Sequence, residues 1–320
     1  MSRPRAQHRG PVCRRADRGA PVARPDTALQ VPQPAVPVGT GPEPPSQWWT
    51  RPGRTDASVW SRVGADCAGS ARVSNLLLGG KDSFRADRAV ADRLREADPS
   101  WADTAKAARR SVLELAGRLA ARGVGQFVDL GCGLTTSDHP HAPRALRPLH
   151  TAVLPAFPGA RIVYADRDPM VLAHARALLH TQMPGRARHL MADLTSVGPL
   201  TEALLGPNAG LDRRQPVAVV LSDVLHELTD PQIAELLTAL REGLPPGSRL
   251  VLSHRHAGSD EARRAAIATV HAEAGLAWHP RTRGDLEVLA AGWRTADLPS
   301  ARDRAAHGYT VMLLETGGTR

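Results

Sequence analysis

Apolar segments of strand length alternate with longer amphipathic segments over the chain beyond Gly123. This alternation is typical of βαβ units, so we predict an α/β domain whose mostly parallel sheet carries helices on both faces. The predicted strands are Gln126–Leu130, Arg161–Asp166, Arg188–Ala192, Pro216–Ser222, Arg249–Ser253, Trp293–Leu298 and Tyr309–Leu314. The predicted helices between them include Pro169–Leu179, Pro231–Glu242, Asp260–Ala274 and Gly284–Ala291.

Helical periodicity also precedes the sheet. After an apolar run that ends at Gly79-Gly80, a helix is expected with Asp82 or Ser83 as its N-cap. A second helix is predicted over Trp101–Arg122. Three apolar residues mark one face of that helix: Val112, Leu115 and Leu119. We therefore expect a helical N-terminal extension or lid over residues 63–122, followed by a ligand-binding domain over residues 123–316.

Residues 1–62 differ from the rest in composition. They are rich in Pro, Arg, Ala and Gly without helical or strand periodicity, which predicts a disordered tail. Residues 1–60 contain nine arginines and four acidic residues, so this stretch carries +5 of the net charge of +9. A basic chain can bind nucleic acid, but nearly all the cations are arginine, which favours a composition bias.

Bulk properties narrow the class of protein further. A chain of 320 residues can hold one large domain with an ample core. The three cysteines are widely spaced without a C-x-x-C pair, which fits a reducing compartment, so a cytoplasmic location is expected. No apolar run approaches membrane-spanning length. Histidines at 139, 141 and 150 are interpreted as surface residues of an inserted loop over Leu134–Pro158, and no metal is predicted.

The most informative segment is QFVDLGCGLTT, over residues 126–136. A buried strand runs into Gly131-Cys132-Gly133, and a glycine turn at the carboxyl end of a parallel strand lets backbone N–H groups approach a ligand. Asp129 lies inside the strand just before the turn. An acid at this position suits a ligand with a positive charge, such as the amino group of S-adenosylmethionine (SAM).

Acidic residues also end the next two strands. Asp166, followed by Arg167, can accept both ribose hydroxyls of an adenosine ligand, whereas Asp168 is expected only to cap the following helix. Asp193 can accept from the adenine amine while Leu194 packs on the ring; a solvent-facing turn is the alternative for Asp193. The three acids at 129, 166 and 193 would then share one edge of the sheet.

The fourth and fifth strands end in residues suited to the chemical step. Ser222 and Asp223 are expected to border the methyl-donating sulfur. His226 and His254 are candidate general bases, because imidazole titrates near neutrality. For His226 a hydrogen bond that holds the loop is an equal alternative, and for His254 a solvated loop position is the alternative.

Several segments together resemble an actinobacterial family of SAM-dependent methyltransferases. The similar segments are residues 71–88, which include LLGGKD, and residues 126–134, 160–179, 192–195, 224–228, 245–254 and 281–293. The resemblance implies a Rossmann-like class I fold with seven strands, the last antiparallel, and SAM at the glycine turn. It also implies that Arg72, Lys81 and Asp82 help to close the pocket, where a cation would meet the SAM carboxylate.

The chain departs from the family pattern at a few positions. Ser74-Asn75 replaces Tyr-Asp, Ser83 replaces Asn, and Thr135 replaces Pro before a longer loop. These changes affect the expected lid contacts and the mouth of the pocket. A purely structural role for Gly79-Gly80, which would turn the chain onto the sheet, is an alternative to the lid.

Taken together, the residues predict a SAM-dependent methyltransferase that acts on an unidentified, small-molecule acceptor. Two alternatives stay open at this point. An NAD(P)-dependent oxidoreductase would require a third glycine where Thr136 stands and no acid at Asp129. A non-catalytic SAM-binding regulator is the second alternative, since no single residue is an unambiguous catalyst.

Overall fold

A mostly parallel sheet forms the centre of the protein. The computed structural model describes residues 65–134, 141–179, 186–256, 259–296 and 308–316. Within them, seven strands lie in the order β3-β2-β1-β4-β5-β7-β6, and β7 runs antiparallel to both of its neighbours. The strands are β1 Gln126–Leu130, β2 Arg161–Asp166, β3 Ala187–Met191, β4 Ala218–Ser222, β5 Arg249–Arg255, β6 Arg294–Thr295 and β7 Tyr309–Glu315.

Helices precede the sheet and connect its strands. They are α1 Ser70–Leu77, α2 Arg85–Ala97, α3 Trp101–Ala121, α4 His150–Val153, α5 Pro169–Leu179, α6 Val197–Leu205, α7 Asp230–Gly243, α8 Glu261–Ala274 and α9 Arg283–Leu289. Short 3-10 turns lie at Arg144–Leu146, Pro207–Ala209 and Leu225–Glu227.

The two faces of the sheet are both covered, because side chains along each buried strand alternate between them. In β1, Val128 and Leu130 belong to the core that α6, α7 and α9 cover. Phe127 belongs to the opposite core, which α3, α4 and α5 cover. Asp129 follows the same alternation as Phe127, so its side chain points toward α3. This orientation decides what the acid at Asp129 can contact.

A smaller apolar cluster joins α1, α2 and α8 beside the sheet. Arg72 of α1 is held within this region by Asp87 of α2, with the guanidinium Nε 2.8 Å from the carboxylate. Both side chains are almost completely buried. A buried pair of this kind is stable only when its remaining polar atoms are also bonded. Asp87 meets that condition by accepting from the backbone N–H groups of Gly69 and Phe84.

The predicted fold class is confirmed, including the antiparallel final strand. The predicted strand over Trp293–Leu298 is only two residues long in the described structure, and Leu298 lies outside the described residues. The predicted N-cap at Asp82 or Ser83 is wrong, because the helix begins at Arg85 and Asp87 binds the N–H of Phe84. The expected tail over residues 1–62 also lies outside the described residues.

The connection between β1 and β2 differs from the surface loop that was expected. His150 is buried in α4, and its Nδ1 lies 3.0 Å from the Tyr164 hydroxyl of β2. The prediction that it is a surface histidine is therefore wrong, since packing of α4 against the sheet encloses it. His141 is exposed, while His139 and Thr135 fall outside the described residues.

Candidate active site

One cleft lies across the carboxyl ends of the central strands, which is the usual place for a ligand in an open α/β sheet. The turns after β1 to β4 form one wall, and α1, the first half of α3 and the segment after α8 form the rest of its lining. Its empty volume, including the open mouth, is about 1490 Å³. The cleft can therefore hold a nucleoside-sized ligand and a second molecule beside it.

The glycine turn after β1 is shaped by two left-handed residues. Gly131 has a φ of 67°, and a Cβ there would lie 2.7 Å from Cγ2 of Val224. Gly133 has a φ of 62°, but a Cβ there would meet nothing within 4 Å, since this residue borders the cleft. Cys132 lies between them on the same wall. The turn therefore presents bare backbone to a ligand.

Asp166 at the end of β2 is tied to that turn. Its Oδ2 accepts from the Gly133 N–H at 3.0 Å, and its Oδ1 accepts from the Asp168 N–H at 2.9 Å. Burial raises the pKa of Asp166 to about 6, although these two N–H groups favour the ionised form. A carboxylate oxygen has two acceptor sites, so each oxygen can still accept a hydroxyl. Asp168 caps α5 by accepting from the Met170 N–H, as predicted.

Asp193 and Leu194 follow β3 and line the adjoining part of the cleft. Oδ1 of Asp193 accepts from the N–H and the hydroxyl of Thr195, at 2.9 and 2.8 Å. Asp193 is half-buried and begins a turn, since its carbonyl accepts from the Ser196 N–H at 3.0 Å. Leu194 is buried among the residues of the core and presents an apolar surface to the same space.

Asp129 is not on the cleft wall. It is completely buried and points toward α3, where its Oδ2 lies 3.3 Å from Nη2 of Arg109. Burial raises the pKa of Asp129, and the charge of Arg109 opposes that rise. Its other oxygen, Oδ1, has no hydrogen-bond partner among the described residues. Arg109 itself lines the cleft, so this cation stands between Asp129 and the ligand space.

Arg109 was not predicted from the sequence as a site residue, although its position in α3 gave an indication. Arg109 lies three residues before Val112 on the apolar face of α3, where a charged residue is unusual unless it is paired. The cations that were expected to meet the SAM carboxylate, Arg72 and Lys81, lie elsewhere. Arg72 is bound to Asp87 and to the Cys67 carbonyl, and Lys81 is exposed; neither is on the cleft wall. Arg167 is on the wall and pairs with Glu227 at 2.8 Å.

The turn after β4 brings an acid and a histidine together. Asp223 has a φ of 53°, a strained conformation for a residue with a side chain, and its Oδ1 lies 3.6 Å from Nδ1 of His226. Oδ2 of Asp223 accepts from the Tyr309 hydroxyl of β7. Burial opposes ionisation of Asp223, but nearby His226 and Arg255 lower its pKa to about 2. Burial likewise lowers the pKa of His226, but Asp223 outweighs it and raises that pKa.

The two candidate bases are placed differently. His226 lines the cleft, as do Ser222 and Asp223, and its backbone carbonyl accepts from the His279 N–H. His254 is completely buried within β5 and is not on the cleft wall. Neither of its ring nitrogens has a hydrogen-bond partner among the described residues, and burial lowers its pKa to about 3. His254 therefore does not occupy the solvated loop position that was its alternative.

The far wall of the cleft is aromatic, a feature that the sequence did not reveal. Trp101 at the start of α3, His271 near the end of α8 and Trp278 beyond it line the cleft with His226. His271 stacks on Trp278 with 4.7 Å between ring centroids. Its Nδ1 lies 2.9 Å from the Ile267 carbonyl. Over the described ranges, no group of three His, Cys, Asp or Glu side chains is arranged to hold a metal.

A family model described as S-adenosyl methyltransferase matches residues 56–297, well over half of the chain. The chain belongs to the S-adenosyl methyltransferase family. It is therefore a SAM-dependent methyltransferase, and SAM is its methyl donor. The cleft fits that donor, because it combines bare glycine backbone, carboxylates at adjacent strand ends and an apolar residue. The two alternatives, an oxidoreductase and a non-catalytic binder, are not supported.

Solved structures of two actinobacterial proteins are similar to this S-adenosyl methyltransferase. A candidate methyltransferase from Thermobifida fusca YX has a TM-score of 0.66 at 28% identity, covering 79% of this chain and 96% of that one. A DUF574 family protein from Streptomyces avermitilis MA-4680 has a TM-score of 0.66 at 23% identity, covering 79% and 99% of the two chains, which shows a shared fold. No curated protein matches the chain in sequence.

In the part of the chain that the structure describes, no helix is both long enough and apolar enough to cross a bilayer.

Proposed function

We propose that this methyltransferase transfers the SAM methyl group to a small-molecule acceptor held in the cleft beside Asp223 and His226. One observation carries the proposal: the ends of β1 to β4 bring a glycine turn, two carboxylates and an acid–histidine pair onto one continuous wall. The first three of these suit a nucleoside with a methionine tail, and the pair suits an acceptor that loses a proton.

The cofactor assignments follow the order of the strand ends. Asp166 would accept from the ribose hydroxyls, since each of its oxygens retains acceptor capacity. Asp193 would accept from the adenine amine, with Leu194 against the ring. Gly131, Cys132 and Gly133 would lie along the methionine tail, and Arg167 and Ser222 would border the bound molecule. These roles are inferred from the positions of the residues along the wall that the strand ends form.

For the methionine carboxylate we propose Arg109 as the partner, in place of Arg72 or Lys81. Its guanidinium faces the cleft beside the glycine turn, whereas Arg72 is bound to Asp87 and Lys81 is exposed. Asp129 then has a positioning role, because it holds Arg109 from behind at 3.3 Å. A guanidinium suits this task because it can pair with two carboxylates at once through its forked donors.

In the chemical step, SAM supplies a methyl group that is already activated by the sulfonium charge. The protein aligns the acceptor oxygen or nitrogen with that carbon, which requires orientation more than acid–base help. His226 takes the acceptor proton on Nε2, since its Nδ1 faces Asp223. Asp223 stabilises the imidazolium that forms, and Tyr309 fixes the carboxylate by donating to its second oxygen. His254, enclosed in β5, has no direct contact with the acceptor in this proposal.

Four further expectations remain as proposals: a lid, a domain boundary, a cytoplasmic location and a small acceptor. The segment that contains α1 is proposed as a lid, which is supported by its residues on the cleft wall. In it, Asn75 braces the chain by donating to the Leu134 carbonyl and accepting from the Asp82 N–H. The domain boundary near residue 123 and a cytoplasmic location rest on the sequence alone. A small acceptor is supported because the cleft, with an empty volume of about 1490 Å³, has room for a nucleoside-sized ligand and one further molecule beside it.

Calorimetric titration with SAM tests the proposal. The Asp166→Ala variant should lose measurable SAM binding while its circular dichroism spectrum stays that of the wild type. The matched control is Asp103→Ala, which removes an exposed carboxylate of α3 that pairs with Lys106 outside the cleft. Equal SAM affinity in Asp166→Ala and the wild type would remove the ribose assignment, and with it the orientation of the bound cofactor.

A further inference from the structure

Two tryptophans and two histidines lie together at one end of the cleft: Trp101, Trp278, His226 and His271. Only 3% of all residues are Phe, Trp or Tyr, and two of the six tryptophans face this one space. The rings of Trp101 and Trp278 are 5.4 Å apart and tilted by 47°, and His226 lies 5.3 Å from Trp278. Flat rings at these angles offer both faces and edges to a planar ligand.

This aromatic wall is held in a fixed position from behind. The guanidinium of Arg255 lies 3.6 Å from the centroid of Trp101 and donates to the Trp101 carbonyl at 2.7 Å. The same guanidinium lies 4.5 Å from the ring of Tyr309, and Asp98 pairs with it at 3.7 Å. The rings therefore form a preorganised surface, which reduces the entropy lost when a ligand binds.

Two polar atoms interrupt the aromatic wall. Nδ1 of His226 lies 3.6 Å from Oδ1 of Asp223, which leaves Nε2 as the ring nitrogen available to an acceptor. Nδ1 of His271 must carry its proton, because the Ile267 carbonyl can only accept. Nε2 of neutral His271 is then an acceptor, and burial lowers the pKa of His271 to about 4, which keeps the ring neutral at physiological pH. The site thus offers one base and one separate acceptor of hydrogen bonds.

Because His226 is a weak base, the group that is methylated must be acidic enough to lose its proton to an imidazole. A phenolic hydroxyl has a pKa of about 10, close enough to an imidazole for a positioned histidine to remove its proton. A hydroxyl as weakly acidic as water, with a pKa of about 15.7, is a poor match for the same base. Histidine beside aromatic walls therefore favours a phenol over an aliphatic alcohol.

We propose, as a deepening of the function above, that the acceptor is a planar aromatic molecule with a phenolic hydroxyl, bound in the cleft against the ring cluster of Trp101, His271 and Trp278. The hydroxyl proton moves to Nε2 of His226 while the oxygen forms a bond to the methyl carbon of SAM. The carbon–sulfur bond breaks and its electron pair stays on sulfur, which neutralises the sulfonium. The products are an aryl methyl ether, S-adenosylhomocysteine and a proton that His226 releases to solvent. A second hydroxyl on the ring donates to Nε2 of His271.

Three probes of matched size test the acceptor class: 2-hydroxynaphthalene, a dihydroxynaphthalene and the saturated alcohol decahydro-2-naphthol. Their binding to protein loaded with S-adenosylhomocysteine is measured by calorimetry, and their turnover with SAM by product formation. Both naphthols should bind at submillimolar concentration and yield methyl ethers, whereas the saturated alcohol should do neither. Equal binding or turnover of the saturated alcohol, or no binding of either naphthol at millimolar concentration, would overturn the proposal.

Two variants locate the probe in the cleft. Trp278→Leu should weaken naphthol binding about tenfold or more and leave the SAM affinity within about twofold. Phe84→Leu, which alters an exposed ring away from the cleft wall, is the matched control and should change neither value. In the wild type, the second hydroxyl of the dihydroxynaphthalene should donate to Nε2 of His271, so the diol should bind more tightly than 2-hydroxynaphthalene. His271→Phe keeps a ring but removes the acceptor nitrogen, so it should abolish this preference. Unchanged diol preference in this variant would contradict the role of His271.

The two levels of the proposal fail differently. If the wild-type protein does not bind SAM in the cleft, the function proposed above is wrong. If it binds SAM and methylates a non-aromatic acceptor without regard to Trp278, that function stands and only the aromatic acceptor is refuted.

Discussion

Replacement of Asp166 by asparagine tests the electrostatics of the cofactor site most directly. The carboxylate lies almost buried at the end of β2, and burial raises its pKa from 3.8 to about 6. Between these two values the folded protein holds a proton that the unfolded chain has released. Stability therefore falls as the pH rises through this window and is constant above it.

The size of the effect follows from the shift in pKa. A shift from 3.8 to about 6, at about 1.36 kcal/mol per unit, amounts to about 3 kcal/mol lost between pH 4 and pH 7. The asparagine variant would have no titratable group at this position, so the difference in unfolding free energy between variant and wild type should change by this amount. The constant cost of placing an amide against the Gly133 N–H cancels from that comparison.

SAM binding should show the same titration in the opposite sense. Ribose hydroxyls bind the ionised carboxylate, whose population falls about tenfold between pH 7 and pH 5 when the pKa is about 6. The wild-type affinity should fall by about the same factor, and binding near pH 6 should release protons. The asparagine variant should bind SAM about 10- to 100-fold more weakly at pH 7, because the charged hydrogen bonds are lost. Its SAM affinity should not change between pH 5 and pH 7.

The assays are urea unfolding at several pH values and calorimetry in two buffers of different ionisation enthalpy. The buffer comparison counts the protons released on binding. Parallel pH profiles of stability in the wild type and the asparagine variant would show that burial does not raise the pKa of Asp166. Equal SAM affinity of the two proteins, with parallel pH profiles of binding, would refute the ribose assignment.

Two other variants probe the remaining parts of the cleft. Arg109→Lys keeps the charge beside Asp129 but loses the fork, so we expect SAM affinity to fall about tenfold or more. The affinity for methylthioadenosine, which lacks the carboxylate, should stay unchanged; a parallel loss for both ligands would contradict a carboxylate contact. Asp223→Asn removes the charge that raises the pKa of His226, so the acidic limb of kcat/KM should move to lower pH and the plateau rate should fall. An unmoved acidic limb would remove His226 as the base.

Strands β1, β2 and β4 were predictable because each is a largely apolar segment that ends at, or is followed by, a glycine or an acid. Helix α1 was not recognised, since two of its buried positions are the polar residues Arg72 and Asn75. Their partners lie 15 residues away at Asp87 and 59 residues away at Leu134, beyond the reach of local periodicity. Helix α6 was missed as well, because Gly198 and Pro199 interrupt an otherwise short helical pattern.

The residues of the candidate site likewise fall into those that were predictable from the sequence and those that depend on tertiary packing. Residues at strand ends were foreseen, because parallel topology alone brings Asp166 and Asp193 to one edge. The direction of Asp129 toward α3 could not be assigned, since it depends on which helix covers which face of the sheet. The aromatic wall joins α3 to the segment after α8, and only tertiary packing shows that Trp101 and Trp278 meet.

The bond from Tyr309 to Asp223 has a consequence for biosynthesis. Tyr309 begins β7, which is made last among the strands yet inserts between β5 and β6. A nascent chain that has emerged only as far as β5 already contains the glycine turn and the cofactor carboxylates, but the acid that supports His226 still lacks its hydroxyl partner. The carboxylate that supports His226 therefore gains its hydroxyl partner only when the final strand has joined the sheet.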